Sequence, residues 1–402
     1  MALRMLLLFF VLKPIAVSSA NILKNPDFES PPTNITTNTT TPFLLLGRNN
    51  TLPGWSFSGT VQYVTSGPNI SLPGNGHAVQ LGPGGKINQT FKDTGFYYYV
   101  LTFILAPASE DCYNNSTAVN VTAPGRSKVF YLERRYGREM WESHAYSLGN
   151  FADERNLINL EIQSVPTNAD SNVRCWPVVD TFLISGIESP KFYGDNMVAN
   201  SGFEVGPSFI RNSPEGILLD EEPDYIQSVL QQWTVLGTVK YIDSRHFSVP
   251  KEKAAVELVS GAALAPSGIL TSLTLTKGSK YVMEFTMGDA NDSCVGDFIV
   301  YAQVGMTIQN VTMRSNGTGT AHRHSLMFKA DSGLTNISLA SFNESQTSEH
   351  MLCGPVIDSV VFHSSLGLRP KLHEAVLISN VFFSLAMLLM ARLFCEDYHF
   401  KR

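Results

Sequence analysis

The stretch "CGPVIDSVVF", residues 353–362, nearly repeats the stretch "CWPVVDTFLI", residues 175–184. Both begin Cys-x-Pro-Val-x-Asp and continue with apolar and hydroxyl residues. Val, Ile, Phe and Thr favour strands, and apolar residues at every second position give a strand one buried face. The chain therefore contains one strand motif twice, which indicates that a larger unit is repeated around it.

Matching segments surround both copies of this motif. They occur in the same order in each half of the chain and keep a nearly constant offset, which is the pattern of a tandem duplication. The matched pairs are "NILKNPDFES" (21–30) with "NMVANSGFEV" (196–205), "GWSFSGTVQYV" (54–64) with "QWTVLGTVKYI" (232–242), "HAVQL" (77–81) with "AAVEL" (254–258), and "YYYVLTFILAPASEDC" (97–112) with "SKYVMEFTMGDANDSC" (279–294). We therefore predict a first domain at residues 21–188 and a second domain at residues 189–365.

Each repeat consists of short segments rich in Val, Ile, Tyr, Phe and Thr, several of which alternate apolar and polar residues. Gly, Pro, Asn and Ser cluster between these segments, and no long segment with a 3.6-residue period interrupts either repeat. Short strands at this spacing are typical of a β-sandwich, and a repeat of about 170 residues suits a jelly roll. The predicted fold class is all-β, with two tandem jelly-roll β-sandwich domains.

The first 20 residues have the layout of a secretory signal peptide. Arg4 precedes the apolar run Met5–Leu12, and small residues end the segment. The apolar run is too short to cross a bilayer, so we expect cleavage after Ala20 rather than a membrane span. An extracellular protein with a glycosylated surface is also indicated by Asn-x-Ser/Thr acceptors at Asn34, Asn38, Asn49, Asn69, Asn88, Asn114, Asn115, Asn120, Asn291, Asn310, Asn316, Asn336 and Asn343.

Four of the five cysteines occupy equivalent positions in the two repeats. An oxidising compartment favours disulfides, and a duplicated domain closes the same bridge in each copy. We therefore predict the disulfides Cys112–Cys175 and Cys294–Cys353, each closing a loop of about 60 residues and contributing about 4 kcal/mol through chain entropy. Cys395 lies beyond the second repeat, where we expect a cytosolic thiol or an acylation site.

The C-terminal end has the pattern of a membrane anchor. After a spacer at residues 366–374, residues 375–391 are uncharged and almost wholly apolar, and the short tail 392–402 carries Arg and Lys. This pattern favours a single transmembrane span with a cytoplasmic tail, because a glycosylphosphatidylinositol signal would end within its apolar run. The alternatives are such an anchor attached near Ser364 or Ser365, and a merely hydrophobic C-terminal helix.

The composition indicates a globular, acidic protein. Hydrophobic residues make up 44% and charged residues 16% of the chain, which is too apolar for a disordered protein. Removal of the signal peptide deletes Arg4 and Lys13 and takes the formal charge from -6 to -8. An acidic ectodomain argues against nucleic acid as a partner and against general attraction to anionic polymers, but it permits a local basic patch.

Several motifs resemble those of the plant cell-wall family called domain of unknown function 642. They are, in family order, "NPDFES" (25–30), "GWSFSGTVQY" (54–63), "YIDSRHFSVPKEKAAVELVSG" (241–261), "GDANDSC" (288–294) and "CGPVIDSVVF" (353–362). The resemblance covers almost all of residues 21–365 and implies two tandem galactose-binding-like domains that are secreted to the cell wall. Members of this family are associated with binding to wall polysaccharide and to pectin methylesterase, and no enzymatic activity is established for them.

The sequence departs from the family pattern at three places. Trp176 stands where the first unit of the family has Gly, residues 33–42 form an Asn/Thr-rich insertion, and the apolar C-terminal tail is unusual. These departures concern the ligand of the first unit more than its fold.

One segment, "RSKVFYLERRYGREMW" at residues 126–141, combines basic and aromatic residues. Guanidinium groups bind carboxylates in a bidentate manner, and aromatic rings offer flat apolar faces on which sugar rings stack. This combination suits galacturonate chains or acidic wall partners, although charged strand ends also occur without any ligand. The candidate ligand-binding residues are Arg126, Lys128, Tyr131, Arg134, Arg135, Tyr136, Arg138 and Trp141.

Two pairs of repeated residues are predicted to be structural. Asp358 shares a strand face with apolar residues, so we expect its carboxylate and that of Asp180 to accept backbone N–H groups. A calcium site at these aspartates is the alternative. Trp55 and Trp233 also recur, and we predict that both are core residues rather than ligand platforms.

Two further clusters match no known metal site well enough to predict one. Asp289, Asn291 and Asp292 share one loop, but the loop lacks the Gly and distal Glu of an EF-hand, so we predict a turn with Asx hydrogen bonds. His322 and His324 share a strand face without a third ligand, which favours a surface position. We therefore predict no metal and no cofactor, with structural calcium as the alternative.

The sequence contains no G-x-S-x-G, H-E-x-x-H or G-x-x-x-x-G-K-[ST] motif, and the two repeats leave no cysteine as a thiol nucleophile. The leading hypothesis is a noncatalytic extracellular protein that binds cell-wall polysaccharide, a wall enzyme such as pectin methylesterase, or both, near the plasma membrane. One alternative is a glycan-active enzyme whose carboxylate pair leaves no sequence signature. The other is a protein-binding scaffold or receptor-like ectodomain.

Overall fold

The structure is a computed structural model. It describes residues 22–34, 42–67, 70–110, 112, 117–133, 135–151, 157–165, 175–192, 194–211, 213–221, 228–260 and 266–365. The predictions that lie outside the described residues are the signal peptide at 1–20, the C-terminal segments 366–374, 375–391 and 392–402, the candidate ligand-binding residue Arg134, and the acceptors Asn38, Asn69, Asn114 and Asn115. Within the described part of the chain, no helix has the length and apolar character needed to cross a membrane.

The chain divides into two compact units. The first contains the described residues up to Ser189 and the segment Gly206–Leu219, which we call the linker segment. The second contains Pro190–Val205 and the described residues from Asp220 onward. The linker segment, which the repeat pattern places in the second domain, thus belongs to the first unit.

The first unit is a sandwich of two β-sheets. Its strands are β1 (Phe43–Leu45), β2 (Ser56–Ser58), β3 (Val61–Thr65), β4 (His77–Leu81), β5 (Lys86–Lys92), β6 (Tyr98–Ala106), β7 (Ala118–Ala123), β8 (Arg126–Tyr131), β9 (Glu142–Gly149), β10 (Leu157–Ser164), β11 (Val178–Ile187) and β12 (Ile217–Asp220), and a 3₁₀ turn covers Pro73–Asn75. The large sheet has the order β1-β3-β4-β11-β6-β9-β12, in which only the pair β9–β12 is parallel. The small sheet is antiparallel with the order β2-β5-β10-β7-β8.

The second unit repeats this arrangement. Its strands are β13 (Thr234–Leu236), β14 (Thr238–Asp243), β15 (Ala254–Glu257), β16 (Ser267–Thr274), β17 (Lys280–Gly288), β18 (Val295–Val304), β19 (Thr307–Asn316), β20 (Ala321–Lys329), β21 (Leu334–Ser341), β22 (Ser345–Gln346), β23 (Leu352–Cys353) and β24 (Val356–Ser364). The large sheet has the order β14-β15-β24-β17-β20, the small sheet has the order β13-β16-β21-β18-β19, and β22 pairs with β23. The prediction of an all-β fold with two tandem jelly-roll sandwiches is confirmed.

Large apolar side chains fill the space between the two sheets of the first unit. Phe28, Trp55, Phe103 and Phe182 are at most 5% exposed and belong to one cluster. Trp233 is completely buried in the second unit. A fully buried aromatic side chain of this kind contributes roughly 1.5–3 kcal/mol. The prediction that the two repeated Trp residues belong to the core is confirmed.

The N-terminal turn of each repeat, at residues 25–28 and 200–203, accepts the same two hydrogen bonds from core side chains. Trp55 Nε1 donates to the carbonyl oxygen of Asn25 at 2.9 Å, and the Tyr63 hydroxyl donates to the carbonyl oxygen of Phe28 at 2.8 Å. The second unit repeats both bonds with Trp233, Asn200, Tyr241 and Phe203. Because buried polar groups need partners, these bonds explain why Trp and Tyr recur at one spacing.

The strand motif that identifies the repeat contains a β-bulge. Asp358 is completely buried, and its carboxylate accepts the N–H groups of Ser359 at 2.5 Å and Lys251 at 2.7 Å. Ser359 has a φ of 52°, and the pairing of β24 with β17 changes register here. In the first unit, Asp180 accepts the N–H of Thr181 at a bulge in β11. The prediction that these aspartates bind backbone N–H groups is confirmed.

Both predicted disulfides are present. Cys112 bonds to Cys175 across a sequence separation of 63 residues, and Cys294 bonds to Cys353 across 59. Each unit therefore closes its own long loop, and the second cysteine of each pair lies just before the repeated strand.

Candidate functional site

The predicted ligand-binding segment comprises β8 and the loop that leads to β9. Strand β8 is the outer strand of the small sheet, and its side chains alternate between two faces. Arg126, Lys128 and Phe130 pair with buried residues of β7 and face the sandwich interior. Tyr131 faces outward, and 52% of its surface is exposed. The strand thus divides the candidate residues between two surfaces.

The two inward-facing cations of β8 contact aromatic rings. Arg126 Nη1 donates to Ser147 Oγ at 3.1 Å, and the guanidinium carbon lies 6.0 Å from the ring centroid of Tyr146. Lys128 Nζ lies 5.1 Å from the ring centroid of Phe130. Aromatic faces attract cations at such distances. These contacts hold both cations against the sandwich interior, away from the loop that follows.

The loop at residues 132–140, which we call the basic loop, carries exposed members of the predicted set. Arg135 and Arg138 are exposed, and Tyr136 is half-buried. Arg134 lies outside the described residues. The described part of the loop therefore presents two guanidinium-bearing residues to solvent, with Tyr136 between them in the sequence.

The position of Trp141 contradicts the prediction that it is a ligand-binding residue. Its side chain is 2% exposed and packs with Ile104, Val178 and Ile210 in an apolar cluster on the outer face of the large sheet. A buried ring offers no face to a sugar, so Trp141 contributes to stability instead. Local sequence could not show this, because Ile210, which helps cover the ring, comes from the linker segment.

Carboxylates fix the basic loop through its backbone. Glu215 Oε1, from the linker segment, accepts the N–H groups of Arg138 at 2.7 Å and Glu139 at 3.2 Å. At the start of the loop, Glu142 Oε2 accepts the N–H of Glu133 at 3.1 Å. Charge-assisted hydrogen bonds of this kind are stronger than neutral ones. The loop is thus held at two points while the side chains of Arg135 and Arg138 remain exposed.

Two ionisable residues of β9 are buried beside this loop. Glu142 and His144 are 5% and 3% exposed, and His144 Nε2 lies 3.4 Å from Glu142 Oε2. The His144 ring stacks on Phe103 with the ring centroids 5.7 Å apart. His324 occupies the equivalent position in the second unit and lies 5.7 Å from Phe285. Aligning the repeats strand by strand would have identified this pair.

The histidines of β20 differ in exposure. His322 is exposed, as predicted, whereas His324 is half-buried and its burial lowers its pKa. In the nearby loop, Asp289 accepts the N–H groups of Asn291 and Thr320, both at 3.1 Å, which confirms the predicted Asx turn. No group of three or more His, Cys, Asp or Glu side chains among the described residues could hold a metal ion.

A buried ion pair in the second unit was not predicted from the sequence. Lys240 and Glu257 are 4% and 0% exposed, and Lys240 Nζ lies 3.4 Å from Glu257 Oε2. Burial raises the pKa of Glu257 to about 7. In the first unit, the same cross-strand position holds Gln62 and Gln80. Comparing the two copies residue by residue would have shown this exchange of neutral for charged partners.

A family model described as "Protein of unknown function (DUF642)" matches residues 21–185 and 196–363, which are most of both units. This chain belongs to the DUF642 family. It is similar to the Arabidopsis thaliana protein "Protein DUF642 L-GALACTONO-1,4-LACTONE-RESPONSIVE GENE 2", with 31% identity over 318 residues, 77% of this chain and 83% of that protein. It is also similar to "Protein TEEBE" of Arabidopsis thaliana, with 32% identity over 321 residues, 78% of this chain and 84% of that protein.

Solved structures also resemble parts of this DUF642 chain. TmCBM61 in complex with β-1,4-galactotriose has 16% identity and a TM-score of 0.29, covering 43% of this chain and all of that one (100%). The CBM22-1-CBM22-2 tandem domain of Paenibacillus barcinonensis Xyn10C has 11% identity and a TM-score of 0.28, covering 78% of this chain and 94% of that one.

The basic loop occurs in only one of the two DUF642 repeats. The corresponding connection in the second unit, between β19 and β20, is the short uncharged turn "GTGT" at residues 317–320. The two copies therefore share their core and bulge contacts but differ in the loop that carries the exposed arginines.

Proposed function

We propose that this protein is a noncatalytic extracellular component of the plant cell wall that binds acidic wall polysaccharide through the basic loop of its first unit. Membership of the DUF642 family supports a cell-wall location. The exposed arginines of the loop support an acidic ligand, because a guanidinium group pairs with a carboxylate through two parallel hydrogen bonds.

The observation that carries this proposal is the way in which Glu215 anchors the loop. Its carboxylate binds the backbone N–H groups of Arg138 and Glu139, so these two bonds order the loop through its main chain. Ordering a loop on binding reduces affinity, and a loop that is already ordered avoids that cost. Tyr131, at the end of β8, adds an exposed ring against which a sugar can stack.

Binding without catalysis agrees with the environment of the buried carboxylates. Asp358 and Asp180 accept backbone N–H groups at β-bulges, and Glu257 accepts the N–H of Gly354 at 3.0 Å. These bonds give each of the three buried carboxylates a structural role as a hydrogen-bond acceptor. The proposal therefore assigns no catalytic role to any of them.

A glycan array tests the proposal. The secreted protein is compared with the double variant Arg135→Ala/Arg138→Ala and with a control, Lys277→Ala/Lys280→Ala, which removes two exposed charges from the second unit. We expect the loop variant to lose binding to galacturonate-containing glycans and the control to retain it, with binding that weakens as salt increases.

Two outcomes would favour the alternatives to this proposal. Capture of a wall protein such as pectin methylesterase, with no glycan bound, would make the basic loop a protein-binding site. Release of sugar from a bound glycan would make the protein an enzyme.

A further inference from the structure

The acceptor sites for N-glycosylation are not spread evenly over the strands. Every Asn-x-Ser/Thr acceptor that lies within a described strand belongs to a small sheet, although the large sheets contain more strand residues. The acceptors are Asn88 in β5, Asn120 in β7, Asn310 and Asn316 in β19, and Asn336 in β21. This distribution indicates that one face of each sandwich differs from the others.

The two-residue period of a strand fixes which face carries these acceptors. In β7, Val119 and Val121 are buried in the core, so Asn120 and the hydroxyl residue of its acceptor motif, Thr122, point outward. In β19, Val311 is buried while Asn310 is exposed. The acceptors therefore lie on the outer faces of the small sheets.

Both units have an acceptor at the same position of the small sheet, but the acceptor lies on a different strand in each unit. In the first unit Asn120 pairs across the strands with Val129, and in the second unit Tyr301 pairs with Asn310. These are equivalent cross-strand pairs, because β7 and β18 have the same neighbours in the two small sheets. The asparagine is on opposite strands in the two copies. The two acceptors are therefore not one residue copied by the duplication, although both lie at the same cross-strand position.

Exposed apolar residues surround the acceptors of the second unit. Ile308 is 59% exposed and lies two residues from Asn310 on the same strand face. Leu334 is 70% exposed and stands in the same relation to Asn336. Tyr301, opposite Asn310, contacts the ring of Phe342, which is itself 46% exposed. Uncovered apolar groups on a sheet face promote association with other chains.

We propose that N-linked glycans cover the outer face of the small sheet in each unit, and that in the second unit their first sugar rings lie over the exposed apolar residues. The faces of the inner sugar rings that carry C–H groups are apolar enough to pack on Ile308 and Tyr301, and the outer sugars keep the surface hydrated. The glycans consequently leave the binding of polysaccharide to the basic loop and to the free edge of the small sheet, where Tyr131 ends β8.

Site occupancy is the first test. The protein is secreted from plant cells and treated with an amidase in H₂¹⁸O, which converts each glycosylated Asn into a labelled Asp that mass spectrometry detects. We expect label at Asn120 and Asn310, the equivalent cross-strand positions, and at Asn88 and Asn336. Unlabelled Asn120 and Asn310 would overturn the proposal.

A matched pair of variants is the second test. Thr312→Ala removes the acceptor motif of Asn310, whereas Thr312→Ser retains it, and Thr312 is exposed in β19. We expect the Ala variant to bind an apolar fluorescent dye several-fold more strongly and to self-associate at lower concentration, and the Ser variant to behave as wild type. Equal dye binding by all three proteins would overturn the covering role.

Two controls keep these results distinct from other effects. Enzymatic removal of glycans from the folded wild-type protein should also increase dye binding, so a folding defect of the Ala variant cannot explain the result. The glycan array with Arg135 and Arg138 tests the polysaccharide site separately, because Thr312→Ala leaves the basic loop intact.

Discussion

Replacing the buried ion pair of the second unit with the equivalent residues of the first unit should make the stability of the second unit less dependent on pH. Lys240 and Glu257 lie opposite each other on β14 and β15, where the first unit has Gln62 and Gln80. The double variant Lys240→Gln/Glu257→Gln therefore introduces a pair that this fold already accommodates. It removes both charges and keeps polar groups that form hydrogen bonds.

The magnitude follows from the pKa of Glu257. Burial raises this pKa from 4.5 to about 7. The folded protein then holds a proton that the unfolded chain has released, so the stabilisation is complete below pH 4.5 and is lost as the pH rises through 7. At about 1.4 kcal/mol per pKa unit, the second unit loses roughly 3 kcal/mol of stability over this range. Burial also raises the pKa of Asp358 to about 7, which adds a loss of the same sign.

Amide hydrogen exchange measured peptide by peptide reports the two units separately. After correction for the intrinsic exchange rate, protection of β14 and β15 in the wild type should decrease between pH 4.5 and 7. In the double variant, the decrease in the free energy of protection should be smaller by roughly 3 kcal/mol. The decrease that remains should come from the titration of Asp358. Peptides of β3 and β4 should not differ between the proteins and serve as the reference.

The single variant Glu257→Gln provides a control for the pair. It leaves the Lys240 ammonium group buried beside a neutral amide, whereas the double variant removes this buried charge and the desolvation cost that it carries. At pH 7 we therefore expect the single variant to be less stable than the double variant. If the wild type and the double variant show the same dependence on pH, Glu257 does not titrate as the structure indicates and the reasoning fails.

Three further predictions concern the frame and the loop. Replacing Cys294 and Cys353 with Ser should lower the free energy of unfolding of the second unit by about 4 kcal/mol, measured by urea denaturation, and an unchanged midpoint would contradict it. Trp233→Phe removes the indole N–H bound to the carbonyl of Asn200 and should cost about 1–3 kcal/mol in the same assay, whereas a neutral result would show that this bond is dispensable. Glu215→Ala should weaken glycan binding several-fold by releasing the basic loop, while Glu215→Gln, which keeps an acceptor oxygen, should weaken it less; equal effects would contradict the anchoring role.

Most of the fold could be predicted from the sequence, because the sequence patterns that specify it are local and occur in both repeats. Strand patterns, turn residues and cysteine positions each predict the same β-sandwich, and the second copy agrees with the first. The burial of Trp55 and the backbone contacts of Asp358 were predictable for the same reason. A repeated polar or aromatic residue in an apolar row has few roles other than in the core.

The candidate site was harder to predict because its contacts are distant in sequence. The segment 126–141 looks like one basic and aromatic patch, but the strand period directs Arg126 and Lys128 inward and leaves Tyr131 outside. Residues of the linker segment bury Trp141 and anchor the loop, far from the segment itself. Local sequence records neither the register of β8 nor the path of the linker segment.

Features that the fold requires recur in both copies, whereas features that one copy has acquired do not. The hydrogen bonds of the N-terminal turn, the β-bulge and the disulfide recur, because losing any one of them would leave buried groups without partners or a long loop open. The basic loop, the Lys240–Glu257 pair and the exact strand that carries the glycan acceptor do not recur. A binding function that depended on the frame would belong to both units equally. Because the exposed arginines of the basic loop have no counterpart in the "GTGT" turn of the second unit, acidic polysaccharide should bind the first unit, and the array with the loop variant decides this directly.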